Sequence, residues 1–151
     1  MRIPRILGAF LALTLLVGAC SDDDSGDAAD GTQTEVPAEV NQLLDDYAAA
    51  VEAADGDAVL TYLTDDFTWS SDLASEQGRE AYAATIDGYD DFTVETIAER
   101  TAVGNEVWYV VASPEEISGP GGTDEGLSVY RVVRSGDDWM IELHRFTRLP
   151  G

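Results

Sequence analysis

The chain has no lysine, a single histidine and a single cysteine in 151 residues. One cysteine, Cys20, leaves no internal disulfide, so any folded part must be held together by packing. Eight arginines face 30 acidic residues, for a net charge of −22. That balance excludes a nucleic-acid partner, whose phosphates need a basic patch. One histidine with no cysteine downstream makes no zinc set, so neither metal nor cofactor is expected. The aspartates of 22–30 lack the alternating ligands and closing glutamate of an EF-hand. No glycine-flanked serine elbow occurs, and Gly119-Pro120-Gly121-Gly122 lacks the lysine and following helix of a phosphate loop. The longest apolar run, 6–17, is too short to cross a bilayer comfortably.

What is present divides the chain in three. Arg2 and Arg5 precede the apolar run, and Val17-Gly18-Ala19-Cys20 follows it. This is the layout of a secretory signal peptide. Its end resembles the lipobox of bacterial lipoproteins, which implies cleavage before Cys20 and acylation of its thiol. Residues 1–19 are therefore expected to be a signal peptide, and the mature chain to sit at the cell membrane, lipid-anchored on the extracytoplasmic face. Stable anchoring takes two or more acyl chains, each buried methylene contributing roughly 0.8 kcal/mol. Residues 20–36 open with an aspartate-rich stretch that has nothing larger than alanine to bury, and they read as an acidic flexible tether. All 30 acidic residues but only six of the eight arginines lie beyond position 20, so the mature chain carries about −24 (6 − 30). A surface of that sign favours solubility and disfavours contact of the domain itself with anionic lipid.

From Pro37 to the end, 37–151, the pattern becomes that of a folded domain. Val40, Leu43, Leu44, Tyr47, Val51 and Ala54 recur at helical spacing, predicting a helix of about four turns. Asp55-Gly56-Asp57 breaks it. Asp57 is expected to cap a second short helix holding Val59, Leu60 and Leu63, ended by Asp65-Asp66. A brief extended run, Phe67-Thr68-Trp69, leads into a polar loop at 70–77, and a third helix is predicted at 78–87. Strands are predicted at 92–101, 106–112, 127–134 and 139–149, separated by turn residues as in an antiparallel meander. The glycine-rich, acidic segment 114–125 reads as a mobile hairpin connection. Helices first and strands later give an α+β fold, three N-terminal helices on one side of a curved, mainly antiparallel sheet.

Tyr47-Ala48-Ala49-Ala50-Val51-Glu52-Ala53-Ala54-Asp55-Gly56-Asp57-Ala58-Val59, continuing to Leu63-Thr64-Asp65-Asp66-Phe67-Thr68-Trp69, resembles the opening of the nuclear transport factor 2-like superfamily. That superfamily includes SnoaL-like cyclases and ketosteroid isomerases. Gly78-Arg79-Glu80-Ala81 is similar to the start of its third helix, and 139–146 to its terminal strand. The resemblance spans 37–149 and implies a cone-shaped pocket between the sheet and the first and third helices. Tyr47, Trp69, Tyr82, Trp108, Tyr130 and His144 are residues of the right kind to line it, although for each aromatic plain core packing is the stronger expectation. This fold hosts enzymes and binding modules alike, so function must come from the site.

In the isomerase pattern a tyrosine and a protonated aspartate hold an oxyanion while another aspartate moves the proton. Tyr47 matches the tyrosine. The base position falls on Ser71, with Asp72 one residue late, and the second donor position falls near Val129, which cannot donate. Half of that oxyanion site is therefore missing. Any histidine-based mechanism must use His144, with Asp72 or Glu142 to orient it; Glu142 shares its strand parity if no bulge intervenes. The absence of a complete catalytic set favours a binding or accessory domain for a small apolar ligand or a membrane-surface protein. The alternative is a small SnoaL-like or isomerase-like enzyme using Tyr47, Asp72 and His144. Residues 107–112 are apolar on both faces, so a second copy of the sheet is an expected cover, giving a homodimer.

Overall fold

The computed structural model describes residues 33–72 and 74–150. Cys20, the signal-peptide segment and most of the expected tether lie outside the described residues. Folded structure begins before Pro37: β1 (Gln33–Thr34) pairs with residues 102 and 103, and Val36 is buried in the core. The last part of 20–36 is thus part of the domain.

Helix α1 (Ala38–Glu52) follows Pro37 and buries Val40, Leu44, Tyr47, Ala50 and Val51, the stripe that its spacing dictates. Each fully buried aliphatic side chain there contributes roughly 1.5–3 kcal/mol. The helix stops where Ala54 takes a left-handed conformation (φ 51°), and Asp55 caps α2 (Gly56–Leu60) by accepting from the Ala58 amide at 2.9 Å. The cap is Asp55 rather than Asp57, because the turn closes one residue after Ala54. Glycine is required at 56. A Cβ there would strike the Ala83 carbonyl oxygen and Asp87, whose carboxylate accepts the Gly56 amide at 2.7 Å. This close approach packs α2 onto α3 (Arg79–Ile86).

Leu63 does not extend α2. It opens β2 (Leu63–Ser71), which forms a hairpin with β3 (Ala74–Gly78) where a polar loop was expected. Burial of Leu63 and Phe67 against the helices outweighs the local preference of the acidic residues between them. The predicted strand 92–101 is likewise two strands, β4 (Thr93–Thr96) and β5 (Thr101–Gly104). Arg100 lies in the gap between them. Its side chain, only 9% exposed, meets Asp45 at 2.7 Å, Ser113 Oγ at 3.2 Å and the Asn41 carbonyl oxygen at 3.3 Å, tying α1 to the sheet.

The remaining strands are long. β6 (Trp108–Gly119) pairs antiparallel with β7 (Gly122–Ser135) over the whole length of β6, from Trp108–Val133 to Gly119–Gly122. The segment 114–125 does connect a hairpin as expected, but as paired strand ends rather than a mobile loop. β8 (Asp138–Arg148) pairs antiparallel with β7 and parallel with β2. The sheet runs β1-β5-β6-β7-β8-β2-β3, with β4 on β6 beyond the end of β5. This is the α+β cone expected: three helices close one side of a curved sheet whose pairs, β2–β8 excepted, are antiparallel.

Candidate functional site

Burial alternates along the middle of β6, where Val111, Ser113 and Glu115 point inward and are buried. On β7 the inward set is Ser128, Tyr130 and Val132. Apolar residues fill one end of the cone, and polar ones face the other. β8 supplies Ile141 and His144, both buried although they are three residues apart. Three is an odd step, which would normally put them on opposite faces. A bulge between the pairs Arg131–Leu143 and Val132–Ile141 absorbs the extra residue, Glu142. Glu142 therefore does not orient His144. It forms an ion pair with Arg131, which is exposed on the outer side of the sheet.

Between α1, α3 and this end of the sheet lies a cavity of about 180 Å³. Its walls include Val51, Trp69, Tyr89, Phe92, Ile117 and Phe146, and its polar lining includes Tyr47, Tyr82, Glu115, Tyr130 and His144. Trp69 stacks on Tyr82 at 5.4 Å between centroids, and Tyr89 on Phe92 at 4.4 Å.

The polar groups form one continuous network. Ser128 Oγ donates to Glu115 Oε2 at 2.5 Å, and Tyr130 donates to Glu115 Oε1 at 2.9 Å. Ser128 Oγ lies 3.1 Å from His144 Nε2, and His144 Nδ1 lies 3.0 Å from the Tyr47 hydroxyl. Tyr82 meets the Tyr47 hydroxyl at 2.7 Å. Burial pushes all three phenols well up from their usual range, so they stay protonated, and it lowers His144 to about 3, so the imidazole is neutral. The direction of the network then follows from donor count. Ser128 gives its proton to Glu115 and accepts from His144 Nε2–H. His144 Nδ1 accepts from Tyr47, and Tyr47 accepts from Tyr82. Every proton points toward Glu115, the terminal acceptor. Satisfied this way, the buried polar groups avoid the penalty of unpaired donors.

Of the residues singled out from sequence, Tyr47, Trp69, Tyr82, Tyr130 and His144 line the cavity together. Trp108 does not. It lies on β6 with the opposite parity to Val111, Ser113 and Glu115, so it belongs to the outer side. Asp72 sits outside the cavity at the β2–β3 turn, half-exposed and 3.8 Å from Arg145. The trio Tyr47, Asp72 and His144 is therefore not assembled; Ser71, one residue earlier, reaches the lining. Val129 takes the parity opposite to Ser128 and Tyr130 and is absent from the lining. Glu115 escaped sequence reasoning because it stands in a glycine-rich acidic run, beside Glu116, where a solvated loop is the ordinary expectation. The available signal was strand parity: extending the alternation of Val111 by two and four residues reaches Ser113 and Glu115.

The SnoaL-like domain model matches residues 44–141. No curated protein matches the chain. A Nostoc punctiforme protein of unknown function with a cystatin-like fold superposes with a TM-score of 0.65 at 13% identity, over 78% of this chain and 97% of that one. A nuclear transport factor 2-like protein from Novosphingobium aromaticivorans, also described as having a cystatin-like fold, gives 0.64 at 17% identity, over 75% and 81%. A Mycobacterium tuberculosis protein of unknown function gives 0.65 at 16% identity, over 75% and 71%. At these identities the structures share the fold. With a domain model covering most of the folded residues, the chain belongs to the SnoaL-like domain family.

Proposed function

We propose that the chain is a small-molecule receptor, held by lipid on Cys20 at the extracytoplasmic face of the cell membrane, whose cavity takes a small and mainly apolar ligand. The observation that carries this reading is the cavity itself: aromatic and aliphatic walls around a few convergent polar groups, the usual composition of a ligand site. A cavity of about 180 Å³ suits a ligand built on one ring, since roughly 150 Å³ of apolar cavity holds benzene. The membrane part rests on the layout of 2–20. Native mass spectrometry of the full chain purified from its own host tests both parts. A diacylglyceryl mass on Cys20 and a reproducible additional non-covalent mass support the reading. A chain without added lipid removes the anchor, and a chain without non-covalent mass after gentle extraction counts against a resident ligand.

Acid–base catalysis is the second reading, favoured by Glu115 standing in the lining as the end of a one-way proton chain. On that reading Glu115 takes the part that Asp72 was expected to play. Conversion of the co-purified molecule by wild-type chain, and its loss in Glu115→Gln, separates catalysis from binding.

A further inference from the structure

Carboxyl groups and aromatic rings line the cavity: the carboxylates are Glu115 and Asp124, and among the described residues no arginine joins them. Asp124 is already neutralised by Arg148 at 2.6 Å. Glu115 is different: it is 1% exposed, its partners are two neutral hydroxyls, and among the described residues it makes no ion pair. His144 cannot serve as its counter-ion at neutral pH, because burial keeps the imidazole unprotonated. Each of the Glu115 oxygens accepts one hydrogen bond and keeps a further lone pair, so the carboxyl group can still take a cationic donor from within the cavity. The same cavity is lined by the rings of Trp69, Tyr82, Tyr89, Phe92, Tyr130 and Phe146, and aromatic rings attract cations.

Taking the cavity as a small-molecule site, we infer that its ligand is an organic cation, an ammonium on a small aromatic or aliphatic body, with Glu115 as the counter-ion. An anionic ligand would meet Glu115 with no cationic side chain beside it among the described lining residues. A neutral one would leave Glu115 without an ion-pair partner. The excess of acidic residues over the whole chain also raises the local concentration of cations near the mouth.

Three benzyl probes of similar size separate the possibilities: benzylammonium, benzyl alcohol and benzoate, titrated into the full chain by ligand-observed NMR. The single imidazole signal of His144 reports that binding occurs in the cavity. Benzylammonium is expected to bind about tenfold tighter than benzyl alcohol, benzoate not to bind, and Glu115→Gln to bring the ammonium to the level of the alcohol. An alcohol that binds as tightly as the ammonium overturns the inference while leaving the pocket reading intact. So does an ammonium affinity unchanged in Glu115→Gln. If none of the probes binds, the pocket reading itself fails. Should the variant not fold, the wild-type ranking of the three probes decides alone.

Discussion

Tyr130 and His144 are register partners on β7 and β8, and their rings stack with centroids 4.4 Å apart and planes inclined by 24°. The phenol covers one face of the imidazole, and the Tyr47 ring meets it edge-on at 84°. His144 is left 7% exposed with both nitrogens hydrogen-bonded inside the protein. It is therefore held as a neutral hydrogen-bonding bridge between Tyr47 and Ser128.

Burial lowers the folded pKa of His144 from 6.5 to about 3. Between these values the unfolded chain binds the proton and the folded chain does not. Stability from this group is thus complete above about pH 6.5 and is lost as pH falls toward 3. At pH 4.5 the loss from His144 alone is expected to be roughly 2–3 kcal/mol, at about 1.4 kcal/mol per unit. Urea unfolding of wild type and His144→Phe at pH 7.5 and 4.5 isolates it from the carboxylates. An imidazole that titrates near 6.5 by NMR would sink the prediction.

Tyr47→Phe keeps the ring against Tyr130 and His144 but removes the hydroxyl shared by Tyr82 and His144 Nδ1. An unpaired acceptor on a buried imidazole should cost about 1–3 kcal/mol. Tyr47→Ala should cost more, about 3–5 kcal/mol, through the cavity it leaves. Equal denaturation midpoints for Tyr47→Phe and wild type would show that the hydroxyl is replaced by water.

Gly126 stands in β7 against the Phe146 ring, and a Cβ there would also come within 2.7 Å of the Thr147 carbonyl oxygen. Gly126→Ala should destabilise by about 1–3 kcal/mol through overpacking. Because Phe146 is a cavity wall, benzylammonium binding should weaken as well. Retained stability together with retained binding would mean that the ring has room to move aside.

Asp72→Asn and Glu142→Gln test residues that the sequence placed beside the site and the fold turned away. Asp72 is 3.8 Å from the exposed Arg145, and Glu142 pairs with the half-exposed Arg131. Each substitution should change stability by less than about 1 kcal/mol. Neither should move the His144 titration or probe affinity. A shifted His144 signal in Glu142→Gln would mean that the bulge fails to keep the two apart in solution.

The helical half was legible because its signals are local. The α1 stripe from Val40 to Val51 and the start of α3 at Arg79 depend on spacing and breakers within a few residues. The turns at Asn105 and Gly136 were legible for the same reason; Asn105 accepts the Val107 amide at 2.9 Å, and Gly136 has a φ of 66°. Composition by itself set the acidic surface and the absence of a disulfide.

Tertiary structure decided the site. Whether 114–125 is loop or strand depends on its two halves, the ends of β6 and β7, pairing with each other, and only that pairing turns Glu115 from a surface acid into the terminal acceptor of a buried network. One extra residue on β8 decided that His144 faces inward and Glu142 outward, since a strand's parity reverses at a bulge and a bulge is fixed by the partner strand. Helix spacing is written along the chain, whereas register is a relation between strands remote in sequence. The polar groups of the candidate site are held by register.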